Sequence, residues 1–239
     1  MEHAQADGAL LLHKNRKNNI LTQGYVNSGN IDKGFKNSKY IAQGSFTTPF
    51  IEHAYIETEA GYAIRKNNRI EIHGCTQAPY MNRDSIARIM GLPANSVRVI
   101  PTSCGGGFGS KLDLSYQPYI ALAAWTLDRP VGIVYTRQES MQSTTKRHPS
   151  DIEIKIGCDP CGKISALKFE GNFNTGAYAS WGPTVANRVP VHASGPYKIP
   201  NYMAKSRAIH TTTPNSGAFR GFGVPQTAIA LETTLSELA

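Results

Sequence analysis

Long apolar runs, paired cysteine motifs and acidic residues are all scarce in this sequence. The apolar run near its start, Ala9-Leu10-Leu11-Leu12, is far shorter than the roughly 20 residues a membrane span takes. It is also too short for the apolar core of a secretory signal, so no membrane partner is expected and a cytoplasmic location is the default. The only cysteines are Cys75, Cys104, Cys158 and Cys161. Cys158 and Cys161 have C-x-x-C spacing, which suits zinc, iron–sulfur or redox chemistry, but no second such pair completes four ligands. The pair sits in Ile156–Lys163, which reads as a hairpin turn, so free thiols are expected and no metal held directly by side chains. Acids number 17 against 25 Lys and Arg, a formal charge of +8. The early basic residues Lys14, Arg16, Lys17, Lys33, Lys36 and Lys39 accompany no helix-turn-helix, zinc-finger or RNP pattern. They read as a solvated face or a partner-subunit surface, and no nucleic acid is expected. The excess charge would also suit an anionic cofactor phosphate.

Glycine is where the sequence is rich. Four glycines surround one aromatic in Gly105-Gly106-Gly107-Phe108-Gly109-Ser110-Lys111, directly after the strand-like run Val97–Ile100. Glycine serves where φ is positive or where backbone must approach a ligand closely. The loop is not a Walker A motif, because Lys111 follows Ser110 and Leu112 replaces the magnesium-binding hydroxyl; nor is it a dinucleotide fingerprint, because Ser110 replaces the third glycine. Exposed amides feeding a helix still favour an anion or an electronegative oxygen. A flexible surface turn is the plainer alternative.

A second stretch, Gly217-Ala218-Phe219-Arg220-Gly221-Phe222-Gly223-Val224-Pro225-Gln226, frames an arginine with two phenylalanines and glycines. A planar cation on bendable backbone suits a flat anionic or electron-rich ligand. An arginine capping a neighbouring carbonyl is the structural alternative. Pro225 suits the first turn of a helix.

Together these stretches resemble the molybdenum-cofactor subunit of the xanthine dehydrogenase and aldehyde oxidase family. The segments Glu52–Thr58, Arg147-His148-Pro149 and Pro196–Pro200 fall in the same order, so the resemblance runs from about Gly24 to Ala239. It implies a molybdopterin-type molybdenum cofactor whose dithiolene, not a protein side chain, holds the metal. The backbone of Gly106, Gly107, Phe108 and Gly109 would pass beside the molybdenum, with an amide facing a metal-bound oxygen. Phe108, Leu112 and Phe222 would line the substrate pocket, and Arg220 would orient a heterocycle and stabilise developing negative charge. Leu112 stands where xanthine-oxidising members carry glutamate, and Ile51 where many members place a metal-facing glutamine. Both departures favour another N-heterocycle, purine-like, or an aldehyde over xanthine itself.

The family's catalytic glutamate and most pterin contacts fall downstream of Ala239. The resemblance therefore implies a partial cofactor-binding domain over residues 40–239, behind a polar lead-in at 1–39. The remaining half of the cofactor subunit, together with iron–sulfur and FAD groups, would be supplied by other domains or subunits. The chain alone is expected to be inactive. Two other classes remain: a non-catalytic structural or interaction subunit that keeps the fold, and a nucleotide- or nucleic-acid-binding protein.

The expected fold class is α+β, with mixed sheets and helices resembling the family's first molybdopterin-binding domain. Hairpin patterns occupy Tyr62–Arg65 with Arg69–His73, and Asp151–Gly157 with Lys163–Phe173. Strands are expected at Val97–Pro101, Val131–Thr136 and Tyr202–His210, and helices at Asn82–Met90, Leu114–Leu127 and from Gln226 onward. Tyr40–Glu59 reads as extended, anchored by Phe46, Phe50 and Tyr55. Trp125 and Trp181 read as core or interface aromatics, and Glu52 with His53 as a hydrogen-bonded pair. Glu57, Glu59 and Glu71 are expected to face solvent.

Overall fold

The computed structural model describes residues 1–239. The strands are β1 (Ile20–Ser28), β2 (Tyr40–Thr48), β3 (Ala60–Lys66), β4 (Arg69–Gly74), β5 (Val97–Pro101), β6 (Val131–Val134), β7 (Ser150–Cys158), β8 (Ile164–Gly176) and β9 (Asn201–His210). The helices are α1 (Glu2–Gln5), α2 (Ile31–Lys36), α3 (Pro79–Met90), α4 (Gln117–Leu127), α5 (Arg137–Ser143), α6 (Gly182–His192) and α7 (Val224–Leu238). No helix is long and apolar enough to cross a membrane. The chain divides into two compact units, one of Met1–Ile51 with Lys146–Ala239, the other of Glu52–Thr145.

The first unit is built on a five-stranded sheet in the order β1-β9-β8-β7-β2. β8 and β9 run parallel and the other neighbours antiparallel, so the sheet is mixed. Alternation in β7 sends Ile152, Ile154 and Ile156 to one face while Asp151 and Glu153 are exposed on the other. The isoleucines join Leu167, Phe169 and Phe173 of β8, Tyr202 and Ala204 of β9, Val189 of α6, and Ala230 and Leu231 of α7 in one core. Helices therefore cover that face. On the other face Glu170 lies in register between Glu153 and Lys205. Within the stretch 1–39, expected as a lead-in, Ile20–Ser28 is the edge strand β1, paired antiparallel to β9. Its Leu21 packs with Ala186 and Ala208.

The second unit carries a four-stranded sheet in the order β5-β4-β3-β6, with only β4 and β5 parallel. Ile86 and Ala87 of α3 and Ile120, Ala121 and Ala124 of α4 pack with Ala63, Ile70, Ile72 and Val97 of the sheet. Helix α3 starts with Pro79 and stops at Gly91, whose φ of 66° is left-handed. Two carboxylates expected to face solvent are buried instead: Glu59 is 2% and Glu71 5% exposed. Burial is tolerated because each has a partner. Tyr55 donates its hydroxyl to Glu59. Glu71 meets Lys66 at 2.7 Å and Arg98 at 3.5 Å. Of the aromatic anchors, Tyr55 is buried and Phe50 is exposed.

Immediately before β7, His148 is 1% exposed, and its Nε2 has no hydrogen-bond partner. Burial first, then the neighbouring Arg147 charge, push its imidazole down to about 3. The folded chain thus keeps His148 neutral, while the unfolded chain protonates it near pH 6.5. Below that pH the unfolded state binds more protons, so stability falls as pH drops, by at most about 1.4 kcal/mol per pH unit from this group. His210, also lowered chiefly by burial, adds the same sign. Resistance to urea is expected to weaken as pH falls from 6.5 to 5, above the carboxylate range, and His148→Gln to flatten that slope. An unchanged slope in the variant would mean that His148 takes up its proton in the folded chain.

Candidate functional site

In the unit Glu52–Thr145, the glycine loop leaves β5 at Pro101 and is tied down from both sides. Glu57 Oε2 accepts the Gly105 amide at 2.9 Å, and Gln77 Oε1 accepts the Gly109 amide at 3.0 Å. Lys111, 5% exposed, donates to Glu57 Oε2 at 2.6 Å and to the Glu57 carbonyl at 3.0 Å. Its ammonium also lies 4.6 Å from the Tyr55 ring centroid. Burial alone would raise the Glu57 carboxyl; hydrogen bonds from Lys111, Cys75 and Gly105 outweigh it and hold the group below its ordinary value. Glu57, expected to face solvent, is therefore the loop's anchor, and Lys111 is an internal strut.

Between these ties the loop is strained. Gly106 has φ 100° and Gly109 φ 112°, and Phe108 between them has φ 51°. For a bulky residue this left-handed conformation is an outlier costing about 1–3 kcal/mol. The Phe108 side chain is 48% exposed, so no core burial offsets that cost. At Gly107 a Cβ would come within 2.5 Å of Gln77 Oε1, so any side chain there displaces the group that holds the Gly109 amide. The amides of Gly106, Gly107 and Phe108 make no hydrogen bond, although Gly107 is buried. An unpaired buried amide costs about 1–3 kcal/mol, so three consecutive free donors suit an oxygen-rich ligand. This donor set fits a cofactor that presents oxygen atoms to the loop. Leu112, half-buried, closes the segment.

In the other unit, the arginine loop joins β9 to α7. Arg147 holds it from within, donating to the Arg220 carbonyl at 2.9 Å and to Gln226 Oε1 at 3.4 Å. The Arg147 guanidinium lies 4.0 Å over the Phe219 ring, and Gln226 Nε2 donates to the His148 carbonyl at 3.2 Å. Gly221, Phe222 and Gly223 are left-handed in succession, with φ 95°, 48° and 85°. Phe222 stands edge-on to Trp181 at 6.1 Å, with the Arg188 guanidinium 5.7 Å from its ring. Arg220 itself is exposed and its guanidinium has no hydrogen bond or ion pair. The carbonyl-capping arginine allowed for at Arg220 is thus Arg147, whose partners lie 73 and 79 residues away in sequence.

The structure places Gly106, Gly107, Phe108, Gly109 and Leu112 in one unit and Arg220 and Phe222 in the other. Glu52 and His53 are hydrogen-bonded as expected, but through the His53 backbone amide; the imidazole Nδ1 lies 4.0 Å from Oε1, too long for a bond. Glu52 Oε1 accepts the amides of His53 at 3.0 Å and Ala54 at 3.4 Å. Cys158 and Cys161 flank a hairpin turn in which Asp159 Oδ1 accepts the amides of Cys161 at 2.8 Å and Lys163 at 3.0 Å.

The sequence is 37% identical over its whole length to the large molybdopterin subunit of nicotinate dehydrogenase from Eubacterium barkeri, of which it covers 56%. It is 32% identical, again over its whole length, to the molybdenum-binding subunit of xanthine dehydrogenase from Escherichia coli O157:H7, of which it covers 32%. The chain thus spans about half or less of these relatives. Among solved structures, the aldehyde oxidoreductase of Desulfovibrio desulfuricans superimposes with a TM-score of 0.93 at 25% identity, over 99% of this chain and 26% of that one. Residues 12–239 match the family model of the molybdopterin cofactor-binding domain, and the chain belongs to that family.

Proposed function

We propose that this chain is the cofactor- and substrate-holding part of a molybdenum hydroxylase that oxidises a carbon of an N-heterocycle or an aldehyde, with water as the oxygen source. The observation that carries this reading is a pair of strained loops, each displaying a left-handed phenylalanine beside unpaired donors. Relatives named for nicotinate, xanthine and aldehydes support the substrate class. When bound, the molybdenum cofactor supplies the two-electron oxidation of the substrate carbon. The amides of Gly106, Gly107 and Phe108 would donate to its oxygen atoms, and the fixed Gly109 keeps them aimed. In one unit Phe108 offers a flat apolar wall for an aromatic or aldehyde substrate, with Leu112 as further apolar lining; in the other, Phe222 is the apolar group of the Arg220 loop. Leu112 cannot ionise, which disfavours the polar edge of xanthine. Arg220 supplies an exposed, unpaired cation to orient an electron-rich ring and stabilise negative charge as it develops. Iron–sulfur and FAD groups that take up the electrons belong in this reading to other domains or subunits, as does the rest of the cofactor site. A cytoplasmic location accompanies that assembly.

Two substitutions in the complete enzyme separate the roles. Gly107→Ala displaces the Gln77 carboxamide that holds the Gly109 amide and is expected to lower molybdenum content, read by metal analysis. Arg220→Ala is expected to keep the metal while kcat/KM falls roughly 100- to 1,000-fold. Loss of metal in the arginine variant, or full metal and activity in the glycine variant, overturns the assignment.

A further inference from the structure

We infer that Cys75 and Cys104 form a reversible dithiol–disulfide site at the root of the glycine loop. The inference rests on the thiol geometry alone and stands whether or not the cofactor reading holds. Cys75 directly follows β4, and Cys104 lies three residues beyond β5. These strands are parallel neighbours with Gly74 opposite Pro101, and the Thr102 amide donates to the Gly74 carbonyl at 3.2 Å. The topology therefore brings the two thiols out side by side. Ligand atoms of Glu57, Cys75 and Cys104 all lie within 4.8 Å of one another. A sulfur–sulfur bond is about 2.05 Å, and rotation of Cys104, in the exposed segment Thr102–Gly105, can close the gap.

The pair is chemically divided. Cys104 is exposed and meets an oxidant first; Cys75 is buried. Burial, followed by hydrogen bonds involving Cys104 and Glu57, pushes the Cys75 thiol up to about 12. Cys75 is thus poor at initial attack but well placed to resolve an adduct on its neighbour. With a low-molecular-weight disulfide such as oxidised glutathione, the Cys104 thiolate attacks one sulfur and releases one glutathione. Cys75 then gives up its proton to solvent and attacks Cys104 Sγ, releasing the second. The two thiols give up two electrons and two protons, and the oxidant takes both. A metal site is the poorer reading: Glu57 Oε2 already holds the Lys111 ammonium at 2.6 Å and the Gly105 amide at 2.9 Å, leaving two thiolates beside a cation.

The test uses the full chain with Cys158→Ser and Cys161→Ser, which removes the competing C-x-x-C pair. Oxidised glutathione is expected to abolish both remaining free thiols, leave no adduct mass, and link the Cys75 and Cys104 peptides; dithiothreitol restores both thiols. Adding Cys75→Ala is expected to leave glutathione on Cys104. Peptide mapping of the unsubstituted chain gives the same linkage independently of how the double variant folds. A lasting glutathione adduct on Cys104 with Cys75 present, or two thiols that stay reduced or become protected by added zinc, overturns the inference.

Discussion

The geometry of the glycine loop depends on one half-buried ion pair, buried Lys111 with partly exposed Glu57. Taking the Lys111 charge out of water is costly, and it persists there only where further contacts complete it. Here the Glu57 carbonyl and the Tyr55 ring complete the ammonium, and the Gly105 amide completes the carboxylate. With Gly105 fixed on one side and Gly109 held by Gln77 on the other, the three residues between have little freedom to relax. That is why Phe108 can be kept left-handed without burial of its ring.

The arginine loop follows the same logic with different chemistry. Arg147 grips the Arg220 carbonyl on one side and the Gln226 side chain on the other, Phe219 lies beneath the guanidinium, and the chain between bends through three left-handed residues. One arginine is consumed in holding the loop, which leaves the guanidinium of Arg220 unengaged. Each unit thus separates a positioning cation from a displayed group.

Much of this was legible because it is local. The hairpin of β3 and β4, the Asp159–Gly162 turn, the Gly91 stop and the two loops each announce themselves within a few residues. What escaped is held by distant partners or masked by composition. Helix α6 contains Pro190 as well as an early Pro183, so its residues do not read as helical. β1 buries little beyond Leu21 and depends on pairing with β9, far along the chain. Glu71 reads as solvated although Lys66 sits just across the hairpin, because its burial and its second partner Arg98, 27 residues away, come only from the assembled sheet. Arg147 finds its partners only in the distant arginine loop and α7. Local patterns encode the loops, whereas the groups that tension them are encoded only by the assembled fold.

The interrupted course of the first unit also orders events on the ribosome. Glu52–Thr145 is continuous, so every strand of its sheet has emerged once Thr145 clears the exit tunnel. β1 and β2, synthesised earlier, must wait with open edges until β7 and β9 arrive. Nascent chains therefore have every strand of the continuous unit available before the five-stranded sheet can close, and the interval is when unpaired edges are most exposed to aggregation or to chaperones.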